Sequence, residues 1–210
     1  MTEPTPKDSD HSEEKALCAR YGMFSELNAR WNNSKSSLTH NRLKHNPEEW
    51  CFYHTRLLEQ EENWQIVPRE QCAVQLKEIL PRGSVVGDFG CGLGGLAEEL
   101  EGWHLVHSYD HVALSPEIVE CDISDVPLDD GCLDCVVFSL SLMGTNYLEY
   151  VGEAYRTLRL GGQMLIWHPA RQSASENLEQ EIRSHGFAIV EHREVYKWIH
   201  IWAIKQARSL

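Results

Sequence analysis

Apolar positions along this chain change their period several times, and each change marks an element. Leu17, Tyr21, Phe24, Leu27 and Trp31 recur at three- and four-residue steps, which predicts one amphipathic helix over residues 13–31. The preceding residues 1–12 are polar, carry Pro4, Pro6 and several acids, and are expected to form a mobile acidic tail. A polar break, Asn32-Asn33-Ser34-Lys35-Ser36-Ser37, follows. Asn46-Pro47-Glu48-Glu49 then reads as a helix start: a capping residue, a first-turn proline, and acids near the positive end of the dipole. That helix places Trp50, Tyr53, His54, Leu57 and Leu58 on one face. Val67 to Leu80 is a further helix, closed by Pro81-Arg82-Gly83.

The pattern downstream is shorter and more continuously apolar. A first strand runs from Ser84 to Phe89, a second from Trp103 to Tyr109 ending at Asp110, and a third over Ile118-Val119-Glu120-Cys121 leading to Asp122. Leu133 to Leu142 is almost uninterruptedly apolar, as expected of a central parallel strand covered on both faces. Tyr147 to Leu160 is predicted helical and stopped by Gly161-Gly162; Gln163 to Trp167 is a fifth strand. Ser175 to His185 is a helix stopped by Gly186, and Phe187 to Val190 and Trp198 to Ile204 are closing strands whose short link makes them antiparallel. The resulting organisation is an N-terminal helical segment over residues 13–66, on the lid or substrate side, and an α/β Rossmann-like domain over 67–210.

Composition narrows the picture. Nineteen Lys and Arg against 32 Asp and Glu give a net charge of −13, so the surface as a whole does not attract nucleic acid. Between Glu26 and Glu48, however, there is no acid, while Arg30, Lys35, Arg42 and Lys44 are basic; this is either a solvated face or a phosphate-contacting surface. No apolar run approaches a membrane span, and no signal sequence is evident. Seven scattered cysteines suit reduced intracellular thiols; Cys132-x-x-Cys135 lacks a second half-site, so no metal is expected.

The chemistry concentrates after the first strand. Asp88-Phe89-Gly90-Cys91-Gly92-Leu93-Gly94-Gly95 turns through four glycines into a helix, and Gly90, Gly92 and Gly95 fit G-x-G-x-x-G. Such a turn brings backbone N–H groups close to a ligand at a helix N-terminus. Asp110 lies 22 residues beyond Asp88, where a second strand delivers a carboxylate to ribose hydroxyls. Two ligands compete, a nicotinamide cofactor and S-adenosylmethionine. The methyl donor is favoured by Asp88 at the first strand's end, by Asp122 where an adenine amino group would lie, and by antiparallel closing strands after Leu158-Arg159-Leu160-Gly161-Gly162. This is the layout of a class I methyltransferase, a seven-stranded sheet with its last strand antiparallel and here an N-terminal helical extension. His54, a lone histidine beside aromatics, reads on its own as a structural residue.

The runs Asp88-Phe89-Gly90-Cys91-Gly92, Tyr109-Asp110 and Cys121-Asp122-Ile123-Ser124-Asp125-Val126-Pro127-Leu128 resemble the nucleomethylin, or ribosomal RNA-processing protein 8-type, methyltransferases. The most specific element is Ser139-Leu140-Ser141-Leu142-Met143-Gly144-Thr145-Asn146; Phe24-x-x-Leu27-Asn28, Ser36-Ser37 and Tyr53-His54 are similar as well. The resemblance covers residues 20–190 and implies methylation of N1 of an adenine in large-subunit ribosomal RNA. It also implies donor contacts from His54, Gly90, Asp110, Asp122, Ile123 and Ser139, to which the residue reading adds Asp88 and Gly92. A rRNA partner follows, as does a nuclear or nucleolar setting in a eukaryote; a monomer is expected, with a protein partner able to supply RNA affinity. In place of the family's basic N-terminal extension the chain opens on an acidic stub, and Trp167-His168-Pro169-Ala170-Arg171 replaces an acidic, serine-rich segment.

Adenine N1 carries a free lone pair at neutral pH, so the protein's task is orientation and exclusion of water. An N1 that is paired in a stem must first be exposed. Met143, Thr145 and Asn146 are expected to wall the acceptor pocket, with Thr145 or Asn146 bonding the base or Asn146 capping the helix at Tyr147; Arg30, Lys35, Arg42 and Lys44 would take phosphates. A small-molecule or protein acceptor, and a non-catalytic donor-binding scaffold, stand as the alternatives.

Overall fold

The computed structural model describes residues 6–171 and 177–207. Five helices come first: α1 (Pro6–Tyr21), α2 (Phe24–Asn32), α3 (Ser36–His45), α4 (Pro47–Glu61) and α5 (Pro68–Ile79). Then follow β1 (Val85–Phe89), α6 (Gly95–Glu99), β2 (Leu105–Asp110), β3 (Ile118–Glu120), β4 (Leu133–Ser139), α7 (Tyr147–Thr157), β5 (Leu158–Pro169), α8 (Leu178–Ser184), β6 (Phe187–Val195) and β7 (Trp198–Lys205). The sheet order is β3-β2-β1-β4-β5-β7-β6; β7 runs antiparallel to both neighbours and the other pairs are parallel.

Alternation along the central strands explains the two-faced core. Val136 and Phe138 of β4, with Met164 and Ile166 of β5, face the α7 and α8 side. Cys135 and Val137, with Leu165 and Trp167, face α5 and α6. A third cluster, including Leu27, Trp31, Leu43, Trp50, Phe52 and Tyr53, joins the N-terminal helices into a layer over the strand ends.

Several expectations need correction. The helix foreseen over 13–31 is two helices, broken at Gly22, whose φ of +92° no regular helix accommodates. Residues 6–12, expected in a tail, belong to α1; residues 1–5 lie outside the described residues. Asn46 stands at the N-cap of α4, but its side chain makes no cap bond and donates instead to the Arg42 carbonyl at 3.3 Å. The helix expected to reach Leu160 ends at Thr157, and Gly161-Gly162 fall inside β5 where the pairing with β4 shifts register. A Cβ on Gly162 would stand 2.8 Å from the Arg159 carbonyl oxygen, so the bulge requires a residue without one. Ser175, the foreseen start of α8, lies outside the described residues; the helix is seen from Leu178.

Candidate active site

The carboxyl ends of β1, β2 and β4, roofed by α2 to α5, enclose a cavity of about 390 Å³. That size lies in the range of small-molecule sites, roughly 300–1,000 Å³. Of the candidate donor- and acceptor-site residues, His54, Asp88, Gly90, Gly92, Asp110, Ile123, Ser139 and Met143 line it, as does Gly95, while Asp122 and Thr145 lie outside the lining.

The glycine turn is fitted closely to its neighbours. Gly90 and Gly92 have φ of +83° and +58°. A Cβ on Gly90 would run into the Ser141 side chain, and one on Gly92 would lie 2.9 Å from Cε1 of His54. Arg69, from the first turn of α5, covers Gly95 in the same way, its Cδ 2.8 Å from where a Cβ would be, and pairs with Glu61 at 3.2 Å. Gly92→Ala is therefore expected to push His54 off the turn and weaken ligand binding at least tenfold, measurable by calorimetry with S-adenosylhomocysteine. Beyond β4, Leu140 has φ +62°, a strained setting for a β-substituted residue, and it lines the cavity.

The three strand-end carboxylates differ in their surroundings. Asp110 is buried and accepts three N–H bonds: Trp50 Nε1 and its neighbour His111 N on Oδ1, both at 2.7 Å, and Gly92 N on Oδ2 at 2.8 Å. Of roughly four acceptor positions on a carboxylate, one on Oδ2 stays open to a ligand. Asp122 accepts the Ser36 hydroxyl at 2.7 Å and Ser124 N at 3.1 Å. Asp88 is 2% exposed and no hydrogen-bond donor among the described residues reaches its carboxylate. Burial, and then the nearby Asp110, push its pKa up to about 7 against the smaller opposing pull of Arg69.

His54 packs against Trp50 with ring centroids 4.0 Å apart and planes tilted by 41°, and burial lowers its pKa to about 4, so it is neutral at pH 7. Tyr53, stacked on Trp31 at 4.2 Å, meets the Met143 sulfur through its hydroxyl at 3.8 Å. Asn146 lies outside the lining: its Oδ1 accepts Ser36 N at 2.8 Å, and its Nδ2 donates to Ser36 Oγ at 2.9 Å and Glu149 Oε2 at 2.7 Å. Its side chain makes no helix-cap bond to α7. Thr145, through its backbone N–H, holds the Ser34 carbonyl at 3.0 Å.

The four basic residues all face acids of the same chain. Arg30 and Arg42 converge on Glu49, at 3.5 and 3.3 Å, and Trp31 Nε1 donates to it at 3.0 Å. Glu49 is 4% exposed, so these two arginines neutralise a buried charge. Lys35 and Lys44 are exposed and pair loosely with Glu149 and Glu120, at 3.7 and 3.5 Å. Sequence reasoning missed Arg69, Trp50, Ser36 and His111 as site residues. His111 carried a signal in its adjacency to Asp110, whereas Arg69 and Ser36 reach the site only through folding of distant helices.

A family model described as "Hypothetical methyltransferase" matches residues 12–209. The chain is 36% identical over 170 residues to ribosomal RNA-processing protein 8 of Mus musculus, covering 78% of this chain and 36% of that protein. It is 35% identical over 186 residues to the protein of that name from Dictyostelium discoideum, covering 86% and 47%. Against a 25S rRNA adenine-N1 methyltransferase of Schizosaccharomyces pombe it is 35% identical over 154 residues, 67% of this chain and 48% of that one. The chain thus spans about a third to a half of these relatives' length. Among solved structures it superposes with TM-score 0.60 and 19% identity on 1,6-didemethyltoxoflavin-N1-methyltransferase of Burkholderia thailandensis, bound to 1,6-didemethyltoxoflavin and S-adenosylhomocysteine, covering 78% of this chain and 90% of that one. A TehB-like S-adenosylmethionine-dependent methyltransferase of Corynebacterium glutamicum gives 0.59 at 17% identity, covering 77% and 100%. These likenesses identify the architecture as the class I methyltransferase fold.

Proposed function

The chain belongs to this methyltransferase family, and from that premise we propose that it uses S-adenosylmethionine to methylate N1 of an adenine in large-subunit ribosomal RNA. The observation that carries the donor reading is Asp88: a buried carboxylate beside the glycine turn, facing a cavity, with no hydrogen-bond donor to it among the described residues. A buried acid in that state calls for a cationic partner, and the donor's ammonium supplies one. The remaining residues fit the same ligand. Gly90 and Gly92 let the backbone approach it, Asp110 keeps one acceptor position for a ribose hydroxyl, and Asp122 and Ile123 would meet the nucleobase. Ser139 would contribute at the end of β4, and His54 would close the turn from above. When bound, the donor supplies an electrophilic methyl on a sulfonium.

The protein's own contribution is then to bind, orient and exclude water. A neutral His54 suits a reaction in which the acceptor nitrogen already has its lone pair and needs no base. Met143 would form the wall beside the methyl. Thr145 and Asn146 would act through position, the Asn146 amide fixing the loop against Ser36. The acceptor reading is supported by the names of the Mus musculus and Schizosaccharomyces pombe relatives.

RNA phosphates would fall first to Lys35 and Lys44, because exposed pairs of this kind are worth only about 0–1 kcal/mol and exchange readily. Arg30 and Arg42 would join only by leaving Glu49. The double change Lys35→Glu and Lys44→Glu is expected to weaken RNA binding about tenfold in low salt and to flatten its log-log salt dependence by about 2, with donor affinity unchanged. The function itself is tested by incubating the protein with methyl-labelled donor and total RNA, then digesting to nucleosides. Label in N1-methyladenosine is the expected result. Label in protein or small molecules with none in RNA would overturn the acceptor, and donor binding without transfer would mark a scaffold.

A further inference from the structure

Thr39 stands on α3 one turn after Ser36, and both line the cavity. Thr39 is 3% exposed, and its hydroxyl is buried without a hydrogen-bond partner among the described residues. A threonine inside a helix ordinarily returns its hydroxyl to the carbonyl one turn back. Here the Lys35 carbonyl receives only backbone N–H groups, from Leu38 at 3.0 Å and Thr39 at 3.1 Å. A buried hydroxyl left in this state is uncommon and demands an explanation.

Its surroundings indicate the missing partner. Ser36, on the same face of α3, donates its hydroxyl to Asp122 at the end of β3. His40, the residue after Thr39, faces His111 at the end of β2, their Nδ1 atoms 3.3 Å apart. Thr39 is therefore held over the part of the cavity where β2 and β3 finish, together with Ile123. That is the nucleobase end of the donor in the reading above, on which this inference rests.

We propose that Thr39 is a specificity-determining contact to the donor's nucleobase, its hydroxyl donating to a ring nitrogen that flanks the exocyclic amino group. The chemistry is complementary to an adenine edge. Asp122, which meets the cavity edge beside the lining residue Ser36, would as an acceptor select an N–H group, and the adjacent ring nitrogen needs a donor, which the Thr39 hydroxyl provides. A 6-oxo purine presents an oxygen to Asp122 and is rejected. The hydroxyl is thus left unpartnered in the unliganded protein and satisfied by the ligand.

The test is calorimetric titration of S-adenosylhomocysteine, and of its 1-deaza and 7-deaza analogues, into the wild type, Thr39→Val and Thr39→Ser. Thr39→Val, similar in volume, is expected to bind S-adenosylhomocysteine about tenfold more weakly, while Thr39→Ser stays close to wild type. That loss should vanish with one of the two deaza analogues, which already lacks the contacted nitrogen. Unliganded Thr39→Val should melt at or above the wild-type temperature, because it removes an unsatisfied buried group; a merely structural role predicts the opposite. Thr39→Val binding S-adenosylhomocysteine as tightly as wild type, or losing equally with both analogues, would overturn the assignment of Thr39. Failure of the wild type to bind S-adenosylhomocysteine would instead overturn the donor reading, and Thr39 with it.

Discussion

Asp88→Asn is expected to raise the melting temperature of the unliganded protein above pH 7 while weakening S-adenosylhomocysteine binding about 100-fold. The two effects come from one cause. Burial and the neighbouring Asp110 push the Asp88 pKa up to about 7, far above its value in an unfolded chain. The folded state therefore holds a proton that the unfolded state has released. As pH rises from about 4 to 7 the native protein loses stability from this group, and above 7 the full penalty is present. An asparagine there has no charge to bury, and relief of about 2–4 kcal/mol follows, roughly 5–10 °C for a domain of this size. The melting difference between variant and wild type should be absent near pH 4, grow to pH 7, and then level off.

Ligand binding should move the other way. If the ammonium group of the donor meets Asp88, the carboxyl must give up its proton to bind, so wild-type affinity rises with pH up to about 7. In Asp88→Asn that rise disappears. Calorimetry across pH 5 to 8 and thermal melts over pH 4 to 8 check both halves. An unchanged affinity, or a lower melting temperature, would show that Asp88 is a structural acid and remove the main support for the donor reading.

Much of this site was legible because it is built from local signals. A short apolar strand ending in an acid, a run of glycines, and acids closing the next two strands each need only a few neighbouring residues to be recognised, and all sit where expected. The antiparallel pairing of the last two strands follows from the short link between them. What escaped was either non-local or a competition between near-equal local signals. Gly22 breaks a helix whose apolar spacing continues across it, so periodicity alone saw one element. Gly161-Gly162 look like a helix stop, yet β-sheet pairing begins at Leu158 and takes them in as a bulge. The side-chain donors to Asp110 and Asp122 come from Trp50 and Ser36, 60 and 86 residues away in sequence, and no spacing rule reaches that far. The basic stretch between Glu26 and Glu48 was visible, but Glu49 lies just beyond it and claims two of its arginines.

Asp110→Asn is expected to lower donor affinity as Asp88→Asn does, but with the opposite effect on stability. Asp110 ties α4 to the glycine turn: its carboxylate holds the indole N–H of Trp50 in α4 and the backbone N–H of Gly92 in the turn. An asparagine offers one oxygen and an NH₂ group, so either Trp50 or Gly92 must face a donor across a buried contact. Leaving one buried N–H unsatisfied costs about 1–3 kcal/mol, and lost charge assistance at the others adds to it. The melting temperature should fall by roughly 5–15 °C. Trp50 is fully buried in the wild type, so loosening of α4 should appear as a red shift and stronger quenching of tryptophan emission. The position reads as a joint rather than a ribose contact alone if stability and affinity fall together. A variant that keeps its melting temperature and loses only affinity would show that the Trp50 and Gly92 bonds contribute little, and would restrict Asp110 to the ligand.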